Sequence, residues 1–155
     1  MSSRLIHEPK EIPGKLIACA TIPSGSSLTM IDYISDYLEA LGARIFIQKS
    51  DCGQTASLFA TFGPEEQGGL VPSGHTDVVA VEGQDWASDP LTMVEREGHL
   101  YGRGTCDMKG LVECSMATAR EVASLHLTRP LHLVFTYNEE VGPSMLPALS
   151  RVWWG

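Results

Sequence analysis

In Val71 to Val79, "VPSGHTDVV", an imidazole and a carboxylate stand one residue apart at the end of an apolar run. Two chemistries suit that pair. His75 and Asp77 can form a satisfied polar pair at the rim of a core. Alternatively, His75 ligates a metal while Asp77 accepts one ring N–H, which fixes the tautomer and makes the other nitrogen a better ligand. Residues two apart on a strand face the same way, so both arrangements are within reach. Two more acidic positions bear on the choice. Asp107 directly precedes a run with helical spacing, where Asp is a favoured N-cap. Glu139 and Glu140 follow the apolar "LHLVF", where charge is costly without a partner and a divalent cation would be one.

Other chemistries lack their residues. Gly102-Arg103-Gly104 begins like a dinucleotide fingerprint, but no glycine falls at its third position, and no phosphate-binding G-x-x-x-x-G-K-[ST] occurs. Ser73-Gly74-His75 has no G-x-S-x-G context for a nucleophilic serine. His7, His99, His126 and His132 show no ligand spacing and are expected on the surface or in packing. Cys106, beside Asp107, could ligate zinc or pack as a small apolar residue.

The candidate groups need a frame to bring them together. Leu28, Ile31, Ile34, Leu38 and Leu41 recur at helical spacing, with Ser24 to Ser27 as cap candidates and Gly42 as a stop. Strands are expected over residues 43–48, 56–62 and 70–74. A hairpin is expected around Arg96-Glu97-Gly98. Met108, Leu111, Val112, Ser115, Met116, Ala119, Val122 and Ala123 mark one face of a long helix. "LHLVFTY" then reads as a buried strand. Strand, helix, strand in that order implies a right-handed crossover between neighbouring parallel strands. All three acidic clusters would then lie beyond the C-terminal ends of strands, where open α/β sheets keep their sites.

Composition sets limits. A chain of 155 residues, 43% hydrophobic and 19% charged, can bury one domain's core. A net charge of −8 disfavours nucleic acid and anionic membrane as partners. Cys19, Cys52, Cys106 and Cys114 show no framework spacing and are expected as free thiols in a reducing cytoplasm. Neither a signal peptide nor a membrane span is apparent, so a soluble cytoplasmic protein is expected.

"SGHTDVV", "DWASDPL", "GHLYGRGTCDMKG" and "YNEEVG" resemble, in kind and order, the co-catalytic zinc amidohydrolases. That family includes acetylornithine deacetylase, succinyl-diaminopimelate desuccinylase, the aminoacylases and glutamate carboxypeptidase. The likeness runs from about Leu16 to Gly142 and looks closest to the acetylornithine deacetylase branch. It implies an α/β, three-layer zinc-exopeptidase-like catalytic domain whose mixed, mostly parallel sheet is flanked by helices. It also implies two divalent ions, zinc or cobalt. His75 would hold one, Glu140 the other, and Asp107 would bridge them. Asp77 would orient His75, and Glu139 would be the general base. A cis peptide is implied at Asp107-Met108. The substrate would be an N-acyl amino acid, N-acetylornithine foremost, placing the protein in arginine biosynthesis. Desuccinylase or dipeptidase chemistry is the alternative within the class.

The departures are specific. Asn138 stands where the family commonly has Asp, Pro72 interrupts a strand, and Ala80 replaces a usual Pro. Residues 1–142 correspond to the N-terminal part of the catalytic domain, and 143–155 form a divergent tail in which Pro143 and Pro147 fall where a helix would start. The expectation is a catalytic domain truncated at its C-terminus. It would lack one acidic ligand, a final histidine ligand, and the lid through which family members homodimerise and grip the substrate carboxylate. Metal binding is then expected to be weak or partial, and the last strand to have lost its neighbours. A non-catalytic metal-binding remnant, or one half of a split enzyme, is the competing reading.

Overall fold

Alternation along one strand decides where the core lies. A computed structural model describes residues 11–142; His7 and the expected tail at 143–155, with Pro143 and Pro147, lie outside the described residues. Ala56–Phe62 forms a strand (β2) whose Ala56, Leu58, Ala60 and Phe62 point into one apolar cluster. Arg44–Lys49 (β1) precedes it, and Ser73–His75 (β3) follows. Val94–Arg96 (β4) and His99–Tyr101 (β5) form a separate hairpin, and Leu131–Thr136 (β6) returns to the main sheet. The hairpin turns through Glu97 (φ 53°) and Gly98 (φ 76°), the two left-handed residues that a two-residue turn needs to match strand twist.

The main sheet has the order β1-β2-β6-β3. It is mixed, but it is not mostly parallel among the described residues. β1 pairs antiparallel with β2, β2 antiparallel with β6, and only β3 runs parallel to β6. The reason is chain length. The connection at residues 50–55 is too short for the crossover that parallel neighbours require. The long connection from β3 to β6 provides that crossover, and the expected neighbouring parallel pair is present. β6 is also not left without neighbours: it lies inside the sheet, and β1 and β3 form its edges. Pro72 shortens β3 at its start. The proline cannot donate to the ladder, yet its carbonyl accepts from Val134 N at 3.0 Å.

Three helices pack on one face. Glu11–Ala18 (α1), Leu28–Ala40 (α2) and Lys109–Val122 (α3) contribute Ile12, Leu16, Ile34, Leu38, Val112 and Met116 to the same cluster as the inward face of β2 and β6. The expected second helical layer is not found among the described residues. They contain a single parallel crossover, and its helix shares the face of α1 and α2. The opposite face carries a small apolar group of Phe59 and Val134, with the Phe46 ring 6.0 Å from Phe59. None of the helices among the described residues is long and apolar enough to cross a membrane.

Capping of α2 differs from the expected pattern in one detail. Ser27 occupies the N-cap position, but its hydroxyl accepts from Ala56 N at 3.2 Å, tying the helix start to β2. Ser26 Oγ serves the helix instead, accepting from Leu28 N at 3.3 Å. α1 was not apparent from spacing, because Pro13 and Gly14 break its pattern. Proline costs little in a first turn, where its missing N–H would have had no helical partner.

Lys109, in the first turn of α3, is only 1% exposed and donates from Nζ to the Cys19 carbonyl at 2.6 Å. The bond ties α3 to the end of α1. Burial drives its pKa down to about 8, with the neighbouring Cys19 opposing the shift.

Two expectations follow. Leu38→Ala, at a fully buried site, is expected to cost about 2–5 kcal/mol in urea unfolding. For Lys109 the unfolded chain holds its proton to about pH 10.5, whereas the folded chain releases it near 8. Between those values the unfolded state binds more protons, so stability rises with pH. Unfolding of the wild type and Lys109→Met, followed from pH 7 to about 10, should show the difference moving steadily in favour of the wild type. A difference that stays flat would mean that Lys109 is not buried as a cation.

Candidate metal centre

Parallel pairing of β3 with β6 brings two strand exits to one place. The register sets His75 against Thr136, and Thr76 extends the pairing by giving both its N–H and its hydroxyl to the Thr136 carbonyl, each at 2.8 Å. Beyond Thr136 the chain turns at Asn138, which takes a left-handed φ of 63°, into a 3-10 turn over Glu139–Val141. The third contribution comes from the turn before α3. Gly104 (φ 81°) lies so close to Val78 that an added Cβ would meet its Cγ1 at 2.8 Å, and its carbonyl accepts from Lys109 N at 2.8 Å. This reversal brings Asp107 back over the end of β3. The Asp107–Met108 peptide is cis.

His75 is the buried centre of the group, 6% exposed. Its Nδ1 lies 2.9 Å from the main-chain carbonyl of Asp77. A carbonyl only accepts, so Nδ1 carries the hydrogen and Nε2 is the free ligand position. Nε2 faces Asp107 Oδ1 at 3.1 Å and Glu139 Oε2 at 3.7 Å. One ligand atom from each of His75, Glu139 and Glu140 can be chosen so that all lie within 4.8 Å of one another. Asp107 does not cap α3: the residue at the N-cap position is Met108, without a side-chain cap bond. The carboxylates of Asp107 (77% exposed) and Glu139 (60% exposed) open towards solvent.

Asp77 is 3% exposed and divides its contacts. Its carbonyl takes the His75 N–H. Its Oδ2 accepts from Glu140 N at 3.0 Å, and its Oδ1 stands 3.6 Å from His75 Nδ1 with no hydrogen-bond partner among the described residues.

The electrostatics favour a cation. Burial works against a charged His75 ring, but the Asp77 carbonyl, the hydrogen bond to Asp107 and the charges of Asp77 and Glu139 outweigh it, so its pKa is raised. Glu140 is also raised, first by burial and then by Asp107, Asp77 and Glu139, with His75 opposing. A neutral Nε2 lone pair against Asp107 Oδ1 at 3.1 Å would be repulsive. Either a proton or a metal ion on that nitrogen resolves the contact. One imidazole nitrogen with several carboxylate oxygens is a donor set that suits zinc or a similar divalent ion. The residues fit.

The other candidates lie elsewhere. His99 Nδ1 contacts the Glu97 carbonyl in the hairpin, and His132 Nδ1 pairs with Thr61 Oγ1 at 2.9 Å across the sheet. His126 is exposed. Cys106 is exposed in the turn before α3, where it neither joins the cluster nor packs in the core, and all four cysteines are free. Spacing did not reveal Thr21. It lies alongside the end of β3, giving its hydroxyl to the Thr76 carbonyl at 2.6 Å and taking Val78 N at 3.0 Å. No local signal in the sequence marks it. Arg103 stacks on Trp86, 4.9 Å from its ring, and hydrogen bonds Gln84, holding the loop after Val79 against the turn that carries Asp107.

The sequence pattern of Peptidase family M20/M25/M40 matches residues 72–152. Acetylornithine deacetylase of Proteus mirabilis (strain HI4320) is 36% identical over 137 residues, covering 84% of this chain and 35% of the relative. The enzyme of that name from Yersinia pseudotuberculosis (strain IP 31758) is 33% identical over 141 residues, covering 84% and 36%. Among solved structures, human carnosine dipeptidase 1 superposes with a TM-score of 0.78 at 25% identity, covering 90% of this chain and 34% of that one. An M20 family metallo-carboxypeptidase from Sulfolobus solfataricus shares the fold, with a TM-score of 0.75 at 19% identity, covering 88% and 32%. The chain thus spans about a third of the length of the proteins it matches. With more than half of its residues under the family pattern, the chain belongs to peptidase family M20/M25/M40, a family of metal-dependent hydrolases.

Proposed function

We propose that this chain carries part of the active site of a metal-dependent amidohydrolase that removes the acyl group from an N-acyl amino acid, with N-acetylornithine as substrate. The reaction would consume water and yield ornithine and acetate, a cytoplasmic step of arginine biosynthesis. The observation that carries the reading is the approach of Asp107 and Glu139 to His75 Nε2, beside a group of His75, Glu139 and Glu140 whose ligand atoms lie within 4.8 Å of one another, at the shared exit of β3 and β6. The relatives named acetylornithine deacetylase support the substrate. Carnosine dipeptidase 1 supports the dipeptidase alternative.

His75 and Glu140 would each hold one of two divalent ions, zinc or cobalt, with Asp107 shared. When bound, such ions lower the pKa of water and polarise an acyl carbonyl. Glu139, exposed and 3.7 Å from His75 Nε2, would act as the base. Its carboxylate would take a proton from the attacking water and deliver it to the leaving amine nitrogen. Asp107 and Glu139 lie on the open side, where substrate can approach.

A second reading, metal binding without turnover, is favoured by the ligand count. With Asp107 shared, each ion gains two protein ligands from this set, whereas a catalytic zinc ordinarily has three. The isolated chain is therefore expected to bind zinc weakly.

Calorimetric titration of the purified protein with zinc or cobalt should give binding that weakens by about tenfold or more in His75→Ala and in Glu140→Ala. No binding in the wild type would end the metal reading. Hydrolysis of N-acetylornithine is expected to be slow, and what turnover exists should fall by about 10²–10⁴-fold in Glu139→Ala. Faster cleavage of a dipeptide or of N-succinyl-diaminopimelate by the same preparation would move the substrate assignment within the class. Tight binding of two ions with Glu139-dependent turnover would rule out the second reading.

A further inference from the structure

We propose that Arg103 is a binding site for a small carboxylate, held shut by the side chain of Gln84. It uses none of the groups gathered at His75, so it stands whether or not an ion binds there. The chain has 19 acidic residues against 11 lysines and arginines. Even so, no carboxylate among the described residues comes within ion-pairing distance of Arg103, whereas Arg44 and Arg129 meet Glu65 and Glu66. The acid nearest in the loop is engaged elsewhere: Asp89 accepts from Leu91 N and from Thr92 Oγ1, each at 2.9 Å.

Nη2 and Nε share one edge of a guanidinium, the edge that meets both oxygens of a carboxylate in a side-on pair. In Arg103 that edge is half used. Nη2 donates to Gln84 Oε1, a neutral amide oxygen, while Nε is buried without a hydrogen-bond partner among the described residues. The Trp86 ring centroid lies 4.9 Å from the guanidinium carbon, and its buried Nε1 likewise has no acceptor among them. Two buried donors without acceptors in one stacked pair are costly, the charged one most. A carboxylate accepting from Nε and Nη2 together would complete the edge and neutralise the charge. Gln84 is the part that can yield. It is exposed, and its other contact stays within its own loop, Nε2 donating to the Ala80 carbonyl at 2.5 Å. Arg103 is fixed by its main-chain N, which donates to the Pro90 carbonyl at 2.7 Å. A ligand that displaces Gln84 also undoes one of the two side-chain links between this loop and the turn that carries Asp107.

NMR of the full chain can follow Arg103 Nε–H and Trp86 Nε1–H directly, each assigned through its own backbone. Sodium acetate should shift both resonances saturably, whereas acetamide, its neutral counterpart, and equimolar sodium chloride should not. N-Acetylglycine is the second probe. Tighter binding than acetate assigns the carboxylate of an acylated amino acid, and weaker binding assigns a free small acid; either supports the site. Arg103→Lys keeps the charge without the fork and should bind about tenfold more weakly, read at the Trp86 indole. Gln84→Ala removes the competing amide and should tighten binding by about threefold or more. Gln84→Glu places a carboxylate in the fork, so the Arg103 resonance should be shifted before any ligand is added and acetate should have no further effect. A response to neither acid beyond that of chloride would overturn the proposal. So would an Arg103→Lys variant that binds as tightly as wild type, or a Gln84→Ala variant whose affinity is unchanged or lower. Should Arg103→Lys fail to fold, the two Gln84 variants decide, because they alter only an exposed side chain.

Discussion

The parallel pairing of β3 with β6 is the constraint on which the rest of the site depends. Two parallel neighbours send their chains out at the same edge of the sheet, which antiparallel neighbours cannot do. Setting His75 against Thr136 fixes how far each exit extends before it turns. A shift of one residue would rotate His75 to the other face and carry the Glu139–Glu140 turn out of its reach. The register is held by the ladder, by the double bond of Thr76 to the Thr136 carbonyl, and by Thr21 against the outer side of the same segment. The crossover that makes the pair parallel must contain α3, so the turn that delivers Asp107 is a consequence of the same topology.

Buried charge lies around this edge and is managed by main-chain partners. Lys109 gives its ammonium to the Cys19 carbonyl, Asp77 accepts the Glu140 N–H, and His75 Nδ1–H donates to the Asp77 carbonyl. Main-chain groups hold their positions because the fold holds them, and a side chain bonded to one inherits that rigidity. A pair of flexible side chains would lose more conformational entropy for the same contact. The buried side of the site is therefore fixed by the backbone. It supports a His75 ring whose remaining nitrogen faces outward.

Local pattern was legible in the sequence wherever one period dominated. The extent of β2, the hairpin at Glu97-Gly98, α2 and α3 all follow from alternation, turn residues or helical spacing. The strand exits could be located for the same reason. What the sequence concealed was pairing over distance. Antiparallel entry of β2 beside β6 has no local marker, nor has the interior position of β6. α1 was obscured because Pro13 and Gly14 disguise a helix whose burial of Leu16 and Ile17 outweighs their propensity. Asp107 had two readings, of which helix capping was locally the stronger, and the turn at Gly104 decided against it by directing the side chain to His75 and away from the helix terminus. The split contacts of Asp77 were hidden too, since its carbonyl meets His75 two residues away whereas its Oδ2 meets Glu140 63 residues on.

The site is consequently uneven in a way that bears on its chemistry. His75 and Asp77 are nearly inaccessible, whereas Asp107 and Glu139 stand mostly in solvent. Two carboxylates, Asp107 and Glu139, face one imidazole nitrogen, and Glu140 stands close by. Their mutual repulsion shows in the raised pKa of Glu140, where burial is reinforced by Asp107, Asp77 and Glu139. A divalent ion at Nε2 would relieve that repulsion more fully than a proton there, because it brings twice the charge to the same place. Charge complementarity thus favours a divalent ion at this edge. The open side sets how tightly it is held, because exposed carboxylates are screened by water and pay entropy to converge. Affinity for such an ion would therefore depend on whatever orders Asp107 and Glu139, above the buried pair of His75 and Asp77.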